Sequence, residues 1–226
     1  MLELNVHRVT LTAERPLTQD NVIGLRGFYG AHYRENPGMK AFLDKSHTFR
    51  YPAMQYKVIE GEGMVVGFGE GATVLQSLPF PETLRLGSED LPLVSARSGN
   101  EQAQWGLAER KIKYRVLTPW IGMDEQDTAK YFRLKNPDVQ KYFLSGLLIG
   151  SIVTASKLLN YRIPGMINAE FLELKPITVE PYGKPQLGFK GTMAVNFVLP
   201  DYFGVGKSIA QGYGAVKRID EGCNNP

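Results

Sequence analysis

The 226-residue sequence has a single cysteine, Cys223, in a polar tail. No intramolecular disulfide can form, which excludes a disulfide scaffold and fits a reducing, cytoplasmic setting. Excess charge is also scarce: 26 basic against 23 acidic residues leave a net +3. So mild a balance does not mark a polyanion-binding protein, and any such site must be a local patch. A membrane span needs about 20 mostly apolar residues. The longest apolar run, 143–159, is interrupted by Ser145, Ser151, Thr154, Ser156 and Lys157, and reads as a buried helix. Met1 to Asn5 lacks a basic region followed by an apolar stretch, so no signal peptide is expected. The three histidines, His7, His32 and His47, lack paired ligand spacing. No metal site and no cofactor are expected.

What is present is enough apolar material, 43% of residues, for one large core or two small ones. Leu2 to Leu11 alternates as a strand with a phase change near His7, which reads as an exposed strand histidine. Thr18 is a candidate N-cap for a helix carrying Val22, Leu25 and Phe28 or Tyr29 on one stripe. Gly24, Gly27 and Gly30 recur on that helix and suggest close approach of a sheet or ligand. Residues 33–45 show no period and read as loop. Strands over 49–59 and 64–68, a helix over 70–78 and a strand over 83–86 complete a βαββαβ order. Residues 87–104 read as a linker between domains at 1–88 and 104–220. In the second half a strand over 104–117 is followed by helices over 124–134 and from Asn136-Pro137-Asp138 to about 160. Strands over 169–179, 187–199 and 213–219 follow.

Where a last helix would stand in that second half lies Leu199-Pro200-Asp201-Tyr202-Phe203-Gly204-Val205-Gly206-Lys207-Ser208-Ile209-Ala210-Gln211-Gly212-Tyr213-Gly214. A P-loop would need glycine where Asp201 stands, and a dinucleotide fingerprint would need it at Ile209. What remains is a loop whose free N–H groups suit a polyanion backbone, or a plain connection between two strands. Two basic runs accompany it: Arg110, Lys111, Lys113 and Arg115, and Lys207, Lys217 and Arg218.

Residues 199–214 resemble the glycine-rich loop of the CRISPR repeat-processing endoribonucleases, the Cas six family, and within it the branch labelled b. Arg50-Tyr51-Pro52-Ala53-Met54-Gln55-Tyr56-Lys57-Val58-Ile59, with Val65-Val66-Gly67-Phe68-Gly69-Glu70-Gly71, resembles a second family block. Leu25-Arg26-Gly27-Phe28-Tyr29-Gly30 resembles a third. The resemblance implies an α+β protein of tandem ferredoxin-like (RAMP, RRM-like) domains. It implies metal-independent cleavage of precursor CRISPR RNA, by 2′-OH attack that leaves a 2′,3′-cyclic phosphate. The implied partners are CRISPR repeat RNA, the processed crRNA and proteins of an interference complex. An exposed edge strand leaves a homodimer open. The branch usually carries His-X-His before the Tyr-Pro block, near Lys40-Ala41-Phe42 in this chain. Here the interval holds His32 and His47 instead. Candidate catalytic residues are therefore His32, His47, Tyr51 and Lys40. Candidate RNA-binding residues are Arg26, Tyr33, Gly204, Gly206, Lys207, Ser208, Gln211, Gly212 and Gly214, with Arg50 and Lys57 as further cations. The alternative is a cleavage-deficient RNA-binding module or a subunit of a CRISPR ribonucleoprotein.

Overall fold

The computed structural model describes residues 1–45 and 52–220. They form two compact units. One comprises Glu3–Ala103 with Ala210–Gly212, and the other Met1–Leu2, Gln104–Ile209 and the chain from Tyr213.

The N-terminal unit contains β1 (Leu2–Ala13), α1 (Asn21–His32), α2 (Pro37–Lys45), β2 (Met54–Ile59), β3 (Glu62–Phe68), α3 (Glu70–Gln76), β4 (Thr83–Leu86) and the first half of β5 (Glu89–Trp120). Its strand order is β2-β3-β1-β5, with β4 paired to β5. The expected element order is thus present, with one correction. The seat beside β1 is taken by the first half of β5, not by the strand at 83–86. Residues 89–104 are therefore a strand and not a linker. Their polar composition reflects exposure, whereas their strand state comes from lateral pairing.

Two further corrections concern helices. Residues 37–45 are helical, opened by Asn36, whose Oδ1 accepts the Met39 amide at 3.1 Å. This is the Asn-Pro start that also opens α5, so the signal was there to be read. Thr18 is not the cap of α1; its own N–H is donated to Asn21 Oδ1 at 2.9 Å. α1 carries three glycines and no capping side chain. It is held instead by Val22, Leu25, Phe28 and Tyr29, buried against Val65, Leu84 and Leu86 in one core cluster. Burial of such side chains is worth about 1.5–3 kcal/mol each, which outweighs about 1 kcal/mol lost per glycine.

The C-terminal unit contains the second half of β5, α4 (Glu125–Arg133), α5 (Pro137–Leu158), β6 (Ala169–Val179), β7 (Gln186–Val198) and β8 (Val216–Arg218). Its order is β8-β5-β7-β6. With the off-path β4 left out of the numbering, both sheets run 4-1-3-2, the ferredoxin-like arrangement. α5 buries Leu144, Leu148, Ile152 and Ala155 at three- and four-residue spacing. Asn136 Oδ1 accepts the Asp138 amide at 2.8 Å, as its position predicts. Trp105 is fully buried, donates to Ser156 Oγ at 3.0 Å, and packs on Phe197 and Phe203. No helix of the described residues is long and apolar enough to cross a membrane.

Candidate nucleic-acid interface

α1 presents two faces to chemistry. Toward β4 lies an open groove of about 700 Å³, lined by Gly24, Gly27, Phe28, His32, Arg85 and Asp90 among others. His32 closes the helix and is exposed. Its ring lies on Phe28, centroids 4.8 Å apart at 20°, and meets Tyr33 edge-on at 4.7 Å. Arg85 donates to both carboxylate oxygens of Asp90, at 2.8 and 3.0 Å, and both side chains stay largely in solvent. The paired guanidinium holds the Asp90 carboxyl below its ordinary value, chiefly by hydrogen bonding.

The other face of α1 meets residues 210–212 of the glycine-rich stretch. Gln19 Nε2 donates to the Gln211 carbonyl at 2.5 Å. Gly212 lies against Val22 and the Tyr56 carbonyl. Arg26 is exposed, and its charge offsets part of the rise that burial imposes on the Tyr56 hydroxyl.

The rest of the glycine-rich stretch is folded onto β5 and the residues that follow it. Lys207 N donates to the Ile121 carbonyl at 2.7 Å, Val205 N to Gly214 at 2.9 Å, and Gly214 N to Pro119 at 2.9 Å. Gly204 bridges Ala215. These amides are committed to the protein's own carbonyls, so this part of the loop is not an open nest of donors. Gly206 is glycine because a Cβ would stand 2.5 Å from the Ile121 carbonyl and 2.7 Å from the Trp120 indole nitrogen. Ser208 sits at positive φ and is half-buried. Lys207 is exposed, with Nζ 3.5 Å from Asp124, the N-cap of α4.

The two basic runs converge in the C-terminal sheet. Lys111, Lys113 and Arg115 are exposed along β5, with Ile112 half-buried and Tyr114 buried between them. Arg115 stands directly opposite Lys217 of β8. Lys111 is paired to Glu170 at 2.8 Å, and Lys217 lies over the Tyr202 ring at 5.7 Å. Like charges directly opposite across a ladder are unfavourable on their own. An anion lying across both would remove that cost. Nothing in the local sequence joins Arg115 to Lys217, so only the pairing reveals the row.

Other expected residues fall elsewhere. Tyr33 is 5% exposed and donates its hydroxyl to the Pro79 carbonyl at 2.5 Å; burial raises its pKa to about 12. It anchors α1 to the α3–β4 connection and has no hydroxyl proton left for a ligand. Lys57 cannot hold a phosphate: its side chain is fully buried, with Nζ donating to Gln55 Oε1 at 2.8 Å. His7 is 6% exposed and bonded through Nδ1 to Asn100 Oδ1 at 2.6 Å, contrary to its reading as an exposed strand residue. Lys40 is exposed on α2. His47, Arg50 and Tyr51 lie outside the described residues. Among the described residues no three His, Cys, Asp or Glu side chains gather as metal ligands.

The family model of the Cas6b N-terminal domain matches residues 2–103, and that of the Cas6b C-terminal domain matches residues 106–219. The chain belongs to the Cas6b family. An uncharacterized protein of Methanocaldococcus jannaschii is 33% identical over 138 residues, covering 61% of this chain and 93% of that protein. A crystal structure of Cas6b superposes with a TM-score of 0.84 at 23% identity, covering 96% of this chain and all of that one. A crystal structure of the CRISPR RNA processing endoribonuclease Cas6b gives 0.75 at the same identity and coverage. In this Cas6b chain the described parts of the two blocks that carried the resemblance in the N-terminal half, 25–30 and 52–71, lie on α1 and around the β2–β3 hairpin. The third block, 199–214, follows β7 directly.

Proposed function

We propose that this protein is an endoribonuclease that processes CRISPR repeat RNA. The observation that carries the proposal is the match to Cas6b domains over both halves of the chain, 2–103 and 106–219. The chemistry is transesterification. The 2′-oxygen attacks the adjacent phosphorus as the bond to the 5′-oxygen breaks, leaving a 2′,3′-cyclic phosphate and a 5′-hydroxyl. One group takes the 2′-OH proton and another protonates the 5′-oxygen. Imidazole suits both roles because its ordinary pKa is near neutrality. His32 is exposed at the end of α1, and His47 is the second candidate. Lys40 and Tyr51 would stabilise charge on the reacting phosphate, and Arg26 would steer the strand toward it.

A second reading is a subunit that holds repeat RNA or crRNA without cutting it. It is favoured by the flat stacking of His32 on Phe28, a geometry better suited to packing than to proton transfer.

The test is an end-labelled RNA spanning one cognate repeat, incubated with the purified protein in EDTA beside His32→Ala and His47→Ala. A discrete cut is expected, reduced about 10²- to 10⁴-fold in the variant that removes the acid or base. Binding without any cut would overturn the nuclease assignment and select the second reading.

The basic row gives a separate expectation. If RNA lies across β5 and β8, Arg115→Ala and Lys217→Ala each lower the slope of log affinity against log salt by about 0.7. Their melting temperatures hold or rise, because opposed cations are separated. A filter-binding titration across salt concentrations measures the slope, and unchanged slopes in both variants would remove this face from the interface.

A further inference from the structure

The groove between α1 and β4 has a feature that internal packing does not explain. Gly27 lines it, and a Cβ built there would meet nothing within 4 Å. The Cβ of an alanine would fit and would favour the helix, yet the position is glycine. By contrast, Gly24 one turn earlier already has Leu86 at 3.4 Å from its Cβ position, which is ordinary contact. Gly30 shares the open position of Gly27 away from the groove, so openness by itself marks no ligand; at Gly27 it leaves the groove wall bare. Two further groups face the same space. One is the exposed imidazole of His32, backed by Phe28. The other is Arg85, held by an exposed pair with Asp90. A bare backbone wall, a supported aromatic plane and a displaceable planar cation are what one unpaired nucleotide requires. Bases stack on rings, and an Arg fork donates to phosphate as it does to carboxylate.

We propose that this groove holds one unpaired nucleotide of an RNA strand. Its base stacks on His32, its sugar-phosphate lies along Gly27, and its phosphate takes Arg85 from Asp90. The proposal rests on RNA being the ligand, and holds whether or not the strand is cut. Asp90 acts as a built-in competitor: it keeps Arg85 in place without RNA and must yield when RNA arrives. His32 serves here as a binding residue.

The test compares Gly27→Leu with Gly30→Leu. Gly30 lies on the same helix, its Cβ position is equally open, and it is not among the groove-lining residues. Both variants are expected to melt about 2–4 °C higher, since each replaces a helical glycine with a good helix former. Only Gly27→Leu is expected to weaken binding of a fluorescein-labelled cognate repeat RNA, by about tenfold, the size of one lost stacking contact. His32→Phe keeps the affinity and His32→Ala does not. Asp90→Asn tightens binding, because Arg85 is released. Equal affinities for Gly27→Leu and the wild type would overturn the groove assignment alone. Failure of the wild type to bind the repeat RNA would overturn the RNA assignment, and the nucleotide site with it. A higher affinity for Asp90→Asn with an unaffected Gly27→Leu would assign the effect to general charge, and also overturns the groove.

Discussion

Lys57→Met is expected to stabilise the folded protein near pH 6 and to destabilise it near pH 10.5. Lys57 sits in β2 between Tyr56 and Val58, and its ammonium is removed from water entirely. Burial pushes its pKa from the ordinary 10.5 down to about 7. Its bonded partner, Gln55 Oε1, is neutral and cannot offset the lost hydration of a cation. The sign follows from proton linkage. Below about pH 7 both folded and unfolded chains carry the proton, and the folded state bears the full cost of a buried charge. Between about 7 and 10.5 the unfolded chain holds a proton that the folded chain has released, so stability rises with pH across this window. The difference between the two values, at about 1.4 kcal/mol per pH unit, amounts to about 5 kcal/mol. Methionine is similar in length, removes the charge, and leaves Gln55 Oε1 without this donor at about 1–3 kcal/mol. The net expectation is a gain of about 2–4 kcal/mol at low pH. At the alkaline end of the window a loss of about 1–3 kcal/mol is expected instead. Urea unfolding of both proteins at several pH values measures it. Parallel stability curves, with no crossing, would show that Lys57 stays charged when folded.

Gly214→Ala is expected to destabilise the C-terminal unit by about 3 kcal/mol or more. Gly214 has φ +72, where an L-residue loses about 1–2 kcal/mol. A Cβ there would collide with the Val205 carbonyl oxygen and stand 3.3 Å from the Val205 amide nitrogen. Relief by a backbone shift is expensive because Gly214 is clamped on both sides. Its N–H donates to Pro119 and its carbonyl accepts from Val205, each at 2.9 Å. Breaking either bond leaves a buried peptide group unpaired, at about 1–3 kcal/mol. The same substitution separates two roles of the glycine-rich stretch. If Gly214 serves packing, RNA affinity per folded molecule is unchanged and the loss appears only in denaturation and solubility. If the variant folds with wild-type stability and loses RNA, the glycine is there for the ligand.

How far local sequence reached differs from residue to residue. Asn136-Pro137-Asp138 announced α5 because capping chemistry is confined to one turn. Asn36-Pro37 carried the same message for α2, but among the described side chains of this short helix only Met39 is fully buried, and its period is too brief to stand out. The polar run at 89–104 is strand because β1 and β4 pair with it, and pairing partners are distant in sequence. Lys57 reads as a further cation for RNA phosphates, or as a solvated residue on a strand face, because a lysine in a short strand gives no sign of being covered. Both faces of β2 are buried from Met54 to Lys57.

The two ferredoxin-like halves, the replacement of a last helix by glycine-rich chain, and the family were legible in the residues alone. These follow from periodicity, capping and short motifs, each confined to a few neighbouring residues. What covers each residue decided that Tyr33 and Lys57 are interior, that the Lys207 and Gly214 amides are bound to β5 and its flank, and that Arg115 stands opposite Lys217. It also brought His32 and Phe28 to the groove shared with Arg85. Burial and lateral strand register depend on what covers a residue from elsewhere in the chain, and no local window contains that information.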